Sequence, residues 1–69
     1  MTPYENRIKT VPLAAGFDPR HIEAFMRVEH STLDKLSPSQ FDEEVRLACA
    51  CIEYAGRDEA EKIAKSFGF

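Results

Sequence analysis

Residues 36–56 read LSPSQFDEEVRLACACIEYAG, and this stretch decides the fold. Ser37 can cap a helix, Pro38 suits the first helical position, and Gln40 completes a capping box with Ser37. Gly56 is the residue type that most often follows the end of a helix. We therefore predict a central helix over 38–55. Its apolar residues recur at helical spacing in two adjacent stripes, the first being Phe41, Val45, Ala48, Ile52 and Ala55 and the second Leu47, Cys51 and Tyr54.

The width of this apolar arc predicts that the central helix is contacted by other helices on two sides. A second start signal precedes it, because Asp18 can cap a helix in which Pro19 takes the first position. We predict a helix over 18–36 with a break near 30–32. The break is expected because the Ser31-Thr32 pair competes with helical hydrogen bonding.

Both ends of the chain carry weaker helix signals. A C-terminal helix is predicted over 58–67, with Asp58 and Glu61 forming a capping box. Residues 1–17 are predicted to form an arm or a short helix, capped by Thr2.

The fold class that follows is all-α, because no stretch alternates polar and apolar residues as a strand does. We predict a compact small bundle of three main helices with an N-terminal arm or short extra helix. Residues 1–69 would form a single helical domain. The predicted core consists of Phe17, Ile22, Phe25, Met26, Leu33, Leu36, Phe41, Val45, Ala48, Ile52, Ile63 and Phe67.

The distribution of charged residues favours some classes of partner over others. Acidic residues outnumber Lys and Arg by 12 to 9, and residues 37–56 hold four acids against one base. This balance argues against nucleic acid as a partner and favours a basic protein surface. No apolar run approaches the roughly 18 residues of a membrane span, and residues 1–9 are too polar for a signal peptide, so we expect no membrane association and a cytoplasmic location.

The cysteines and histidines do not suggest a metal site. Cys49 and Cys51 are two residues apart, which places them about 200° apart around a helix. Cys51 is predicted to lie within the apolar arc and Cys49 at its edge, and the reactivity of either thiol is left open. His21 is predicted to be an exposed residue at a helix start. We therefore expect no metal and no cofactor.

Candidate partner-binding residues come from three features of the sequence. The acidic run Asp42-Glu43-Glu44 either stabilises the helix dipole from the first turn of the central helix or meets a basic partner. The pair Glu29-His30 lies at the predicted break, where it either caps a helix end or forms a pH-sensitive contact. Tyr4 and Phe69 are the aromatic residues near the chain ends that are expected to remain exposed.

No nucleophile elbow, metalloprotease motif or Gly-rich phosphate loop is present, so no enzymatic activity is predicted. The leading hypothesis is a non-enzymatic protein–protein interaction module, and the wide apolar arc also permits a homo-oligomer. One alternative is an acidic inhibitor of a nucleic-acid-handling complex, similar only in size and charge to the anti-restriction and anti-CRISPR proteins of phages and mobile elements. Another is a weak helix-turn-helix DNA binder that would use Arg57, Lys62 and Lys65.

Overall fold

The local capping signals organise the chain into short helices joined by tight turns. The computed structural model describes residues 2–69. These form four α-helices and a 3₁₀ helix with no strand among them, which confirms the predicted all-α class. The elements are α1 (Glu5–Lys9), the 3₁₀ helix (Pro12–Gly16), α2 (Pro19–Glu29), α3 (Pro38–Ala55) and α4 (Arg57–Ser66).

α3 begins and ends where its sequence predicts. The Ser37 hydroxyl accepts a hydrogen bond from the Gln40 backbone N–H at 3.2 Å, and the Ser37 N–H donates to the Gln40 side chain at 2.8 Å. This reciprocal pair confirms the capping box. Gly56 follows the last helical residue with a φ of 94°, a conformation that side-chain-bearing residues rarely adopt. α4 starts immediately after it, so α3 and α4 form a helical hairpin.

α2 is the element that packs against each of the other α-helices, α1, α3 and α4. Asp18 caps it as predicted, since its carboxylate accepts a hydrogen bond from the Arg20 backbone N–H at 2.9 Å. α2 ends at Glu29, and residues 30–37 form turns in which Leu33 is buried. The helix expected to resume after the break does not form; in its place is a single turn in which the Leu36 N–H donates to the Leu33 carbonyl oxygen at 3.3 Å.

The core lies where α1, α2 and α3 meet. Its fully buried large side chains include Ile8 of α1, Ile22 and Met26 of α2, and Phe41 and Val45 of α3. Several other residues predicted to be core are only half-buried: Phe17, Phe25, Leu36 and Ile63.

α4 packs through small residues. Ala60 and Ala64 are fully buried, and their size permits a close approach to α2. The larger side chains of α4 therefore flank this contact rather than enter it. Phe67, predicted to be core, follows the last residue of α4 as its C-cap and is 41% exposed.

The N-terminal arm folds onto the bundle without its predicted cap. α1 begins at Glu5, and Tyr4 rather than Thr2 takes the N-cap position, with no side-chain hydrogen bond. The Thr2 hydroxyl is buried and has no hydrogen-bond partner within residues 2–69. Among the helices of this range, none has the length and apolar character needed to cross a bilayer.

Candidate partner-binding groove

The second apolar stripe of α3 is left open. It forms one wall of a groove of about 460 Å³ between α2, α3 and α4, which we call the apolar groove. Val28 of α2 is 61% exposed there and Leu47 of α3 is 50% exposed. The apolar lining consists of Phe25, Met26 and Val28 from α2, Leu47, Ala48 and Cys51 from α3, and Ile63 from α4.

The groove exists because α2 covers only one side of the apolar arc of α3. The first stripe is buried at Phe41, Val45, Ala48 and Ile52, whereas Leu47, Cys51 and Tyr54 of the second stripe are exposed. α4 does not cover them, because its buried alanines face the bundle and only Ile63 reaches the groove. α3 is contacted by α2, by α4 and by the 3₁₀ helix, in line with the predicted contact by several helices, but within residues 2–69 its second apolar stripe stays open.

Three of the predicted partner-binding residues meet at one end of the groove. Glu29 and Glu44 both line it. The imidazole Nε2 of His30 lies 3.3 Å from Oε1 of Glu44, which brings the C-terminal end of α2 against the N-terminal half of α3. The contact between His30 and Glu44 therefore links the end of α2 to α3.

The acidic run lies one turn deeper in α3 than expected. The first turn is 38–41, so Asp42, Glu43 and Glu44 fall in the second turn, where the influence of the helix dipole has declined. The prediction that these acids lie in the first turn and stabilise the helix dipole from there is therefore wrong. Glu43 pairs with Arg46 at 2.9 Å and is exposed, Asp42 is half-buried, and only Glu44 reaches the groove.

Tyr4 and Phe69, also predicted to bind a partner, do not line the groove. The Tyr4 ring packs 5.9 Å from the Phe41 ring, and its hydroxyl donates a hydrogen bond to the Asp34 carboxylate. The Phe69 ring lies 5.8 Å from the Arg27 guanidinium, and both aromatic residues are half-buried. They fasten the two chain ends to the bundle.

Glu23 is a buried acid that the sequence analysis missed. One carboxylate oxygen accepts a hydrogen bond from the Tyr4 backbone N–H at 3.2 Å. The other accepts two from the Arg27 guanidinium, at 3.1 and 2.9 Å. The spacing of four between Glu23 and Arg27 signals a helical ion pair, but nothing local signals that the pair also holds the N-terminal arm.

A second polar cluster joins α2 to α4. His21, predicted to be exposed, is buried, and its Nε2 lies 2.9 Å from Glu61 Oε1. Arg20 Nη2 donates to Asp18 at 2.8 Å and to Glu61 at 3.1 Å. The predicted capping box of Asp58 and Glu61 is absent, because α4 already begins at Arg57 and Asp58 lies within its first turn; Gly56 takes the N-cap position without a side-chain hydrogen bond.

The charges of this cluster compensate one another. Hydrogen bonds from Arg20 hold the pKa of the Asp18 carboxyl below its usual value. The hydrogen bond with His21 and the nearby Arg20 charge do the same for the pKa of Glu61. Asp18, His21 and Glu61 have potential ligand atoms within 4.8 Å of one another, but Arg20 bridges both carboxylates. The geometry therefore supports a structural ion network that fixes α4 to α2.

The two cysteines differ in burial. Cys49 is buried against the bundle, and this burial, aided by the charge of Glu53, raises the pKa of its thiol. Cys51 is exposed and lines the groove. Cys49 was predicted at the edge of the apolar arc, and it is buried because the 3₁₀ helix packs on that side of α3, with the Leu13 carbonyl oxygen 4.0 Å from the Cys49 Sγ.

No model of a known protein family, no curated protein and no solved structure matches this chain. Of the groove, the Glu23 pair and the His21 cluster, only the groove leaves several apolar side chains open to another molecule.

Proposed function

We propose that this chain is a non-enzymatic interaction module that binds a helix of another protein in the apolar groove. The observation that carries the proposal is the groove itself: three helices present apolar side chains to one concave surface that nothing in residues 2–69 covers. Concave surfaces lined mostly by apolar side chains with a few polar groups at the edge are typical of binding sites. A helix laid between helices is a common way of filling such a groove.

Burial of the groove supplies a driving force of useful size. Full burial of a Val or Leu side chain is worth about 1.5–3 kcal/mol, and roughly half of this remains available at Val28 and Leu47. Phe25, Cys51 and Ile63 contribute further apolar area. The sum is a few kcal/mol, which helps to offset the loss of translational and rotational freedom on association.

Charge favours a different chain over a second copy as the occupant. A two-fold symmetric dimer through the groove would bring the same surface from both copies together. That interface would contain Glu29 and Glu44 twice, with two copies of the segment 37–56 and its net charge of −3. Like charges brought together in an interface oppose association.

The test is a selection of displayed amphipathic helices, with randomised apolar and flanking positions, for binding to this protein. We expect the selection to enrich helices that bind the unmodified protein. Leu47→Glu should abolish this binding, because it places a charge in the apolar lining. The matched control is Leu13→Glu, the same substitution at a residue of the 3₁₀ helix that is 52% exposed and does not line the groove. The control should bind as the unmodified protein does.

Two results would overturn the proposal. One is the failure to enrich any helix that distinguishes Leu47→Glu from Leu13→Glu. The other is a concentration-dependent dimer, seen by sedimentation velocity, that Leu47→Glu abolishes and Leu13→Glu does not. That second result would make another copy of the chain the occupant of the groove.

A further inference from the structure

We infer, resting on the proposed function, that the groove selects a basic amphipathic helix, with a Lys or Arg facing Glu29 and Glu44. The argument depends on where the charges lie around the lining. Glu29 and Glu44 are the only charged side chains among the groove-lining residues of the described chain, and both are acidic. A helix with apolar residues alone would fill the groove but leave Glu29 without a cationic partner and Glu44 with only the His30 contact.

The acid at the end of α2 is available for such a partner. Glu29 is exposed and makes no ion pair within residues 2–69. It is also the last residue of α2, where the helix dipole adds negative potential. A cationic side chain placed here is favoured by both the carboxylate and the helix terminus.

The second acid fixes the position of this charge along the groove. His30 contacts Glu44, so the end of α2 and the N-terminal half of α3 lie together and the two acids share one end. Cys51 lies seven residues beyond Glu44 on the same face of α3, a distance of about 10 Å at 1.5 Å per residue. The partner helix should therefore carry its Lys or Arg about two turns from the apolar side chain that covers Cys51.

The same charges argue against other classes of occupant. Nucleic acids and anionic membrane surfaces present phosphate, which Glu29 and Glu44 repel. An acidic helix would place like charges at the rim, and such juxtaposition opposes binding. A basic amphipathic helix is the class that satisfies both the apolar lining and the acidic end.

The test uses the helices enriched by the selection and examines their flanking positions. We expect Lys and Arg to exceed Asp and Glu about two turns from the residue over Cys51. For one such helix, Glu29→Gln combined with Glu44→Gln should weaken binding about tenfold at low salt and flatten its salt dependence. The matched control is Glu43→Gln combined with Glu59→Gln, which removes the same charge from exposed positions outside the groove and should change affinity by less than about twofold.

The outcomes separate this inference from the proposed function. Enriched helices that depend on Leu47 but show no basic bias would overturn the inference and leave the groove as a binding site. Equal weakening by both pairs of Gln substitutions would also overturn it, because net charge alone would then explain the effect. The absence of any Leu47-dependent helix would remove the proposed function itself.

Discussion

Replacing Phe41 with alanine should destabilise the domain by about 3–5 kcal/mol. Phe41 is the largest fully buried side chain described, and the Tyr4 ring and the Arg7 guanidinium, 4.2 Å from the ring centroid, both pack on it. At about 0.05–0.15 kcal/mol per residue, a domain of this length has a total stability on the order of 3–10 kcal/mol. The change therefore removes a large share of the stability, and toward the lower end of this range it unfolds the domain in water.

Urea denaturation followed by far-ultraviolet circular dichroism measures this change. Phe67→Ala is the matched control, because that ring is 41% exposed at the end of α4 and its loss should cost about 1 kcal/mol or less. A Phe41→Ala variant as stable as Phe67→Ala would show that Phe41 is not at the centre of the core.

Replacing Glu23 with alanine should cost about 2–4 kcal/mol, the second largest effect of a single change. The Glu23 carboxylate is fully buried, and its removal leaves the Tyr4 backbone N–H without its acceptor and Arg27 without its anion. Arg27 is partly exposed, so its guanidinium can form hydrogen bonds with water in the variant, and this limits the loss of stability. Glu23→Gln should fall between alanine and the unmodified protein, because the amide oxygen can still accept one hydrogen bond.

The matched control for this change is Glu43→Ala. Glu43 also pairs with an arginine on its own helix at 2.9 Å, but both side chains are at least half exposed. Exposed pairs of this kind contribute at most about 1 kcal/mol. Similar free energies of unfolding for Glu23→Ala and Glu43→Ala would contradict a role for Glu23 in holding the N-terminal arm.

The features that sequence predicted correctly are local ones. The capping box of Ser37 and Gln40 joins residues three apart, and Asp18 caps through a backbone N–H two residues away. Gly56 ends α3 through its own backbone conformation. Signals of this range can be recognised in a single sequence because their partners lie within one helical turn.

The features that sequence missed depend on distant segments. His21 is buried between α2 and α4, where its imidazole hydrogen-bonds to the carboxylate of Glu61, 40 residues away. Glu23 holds a backbone N–H that lies 19 residues earlier. The first contact depends on how α4 packs on α2, and the second on how the N-terminal arm packs on α2. The helical periodicity of a single segment does not indicate how it packs against a distant one.

The candidate site was predicted only in part for the same reason. Glu29, His30 and Glu44 were all identified, but their convergence needs the antiparallel packing of α2 on α3. The apolar width of α3 was also correctly identified. Which of its two stripes remains open depends on α4, whose buried Ala60 and Ala64 leave Leu47 and Cys51 uncovered.

The most direct test of which face of α3 is open and which is buried is alkylation of the folded protein with iodoacetamide, followed by mass spectrometry of the two cysteines. An open groove predicts rapid modification of Cys51, which lines it, and slow modification of Cys49, whose thiol is buried and has a raised pKa. Rapid modification of Cys49 with protection of Cys51 would contradict the account, because the face of α3 assigned to the partner would then be the face packed inside the bundle.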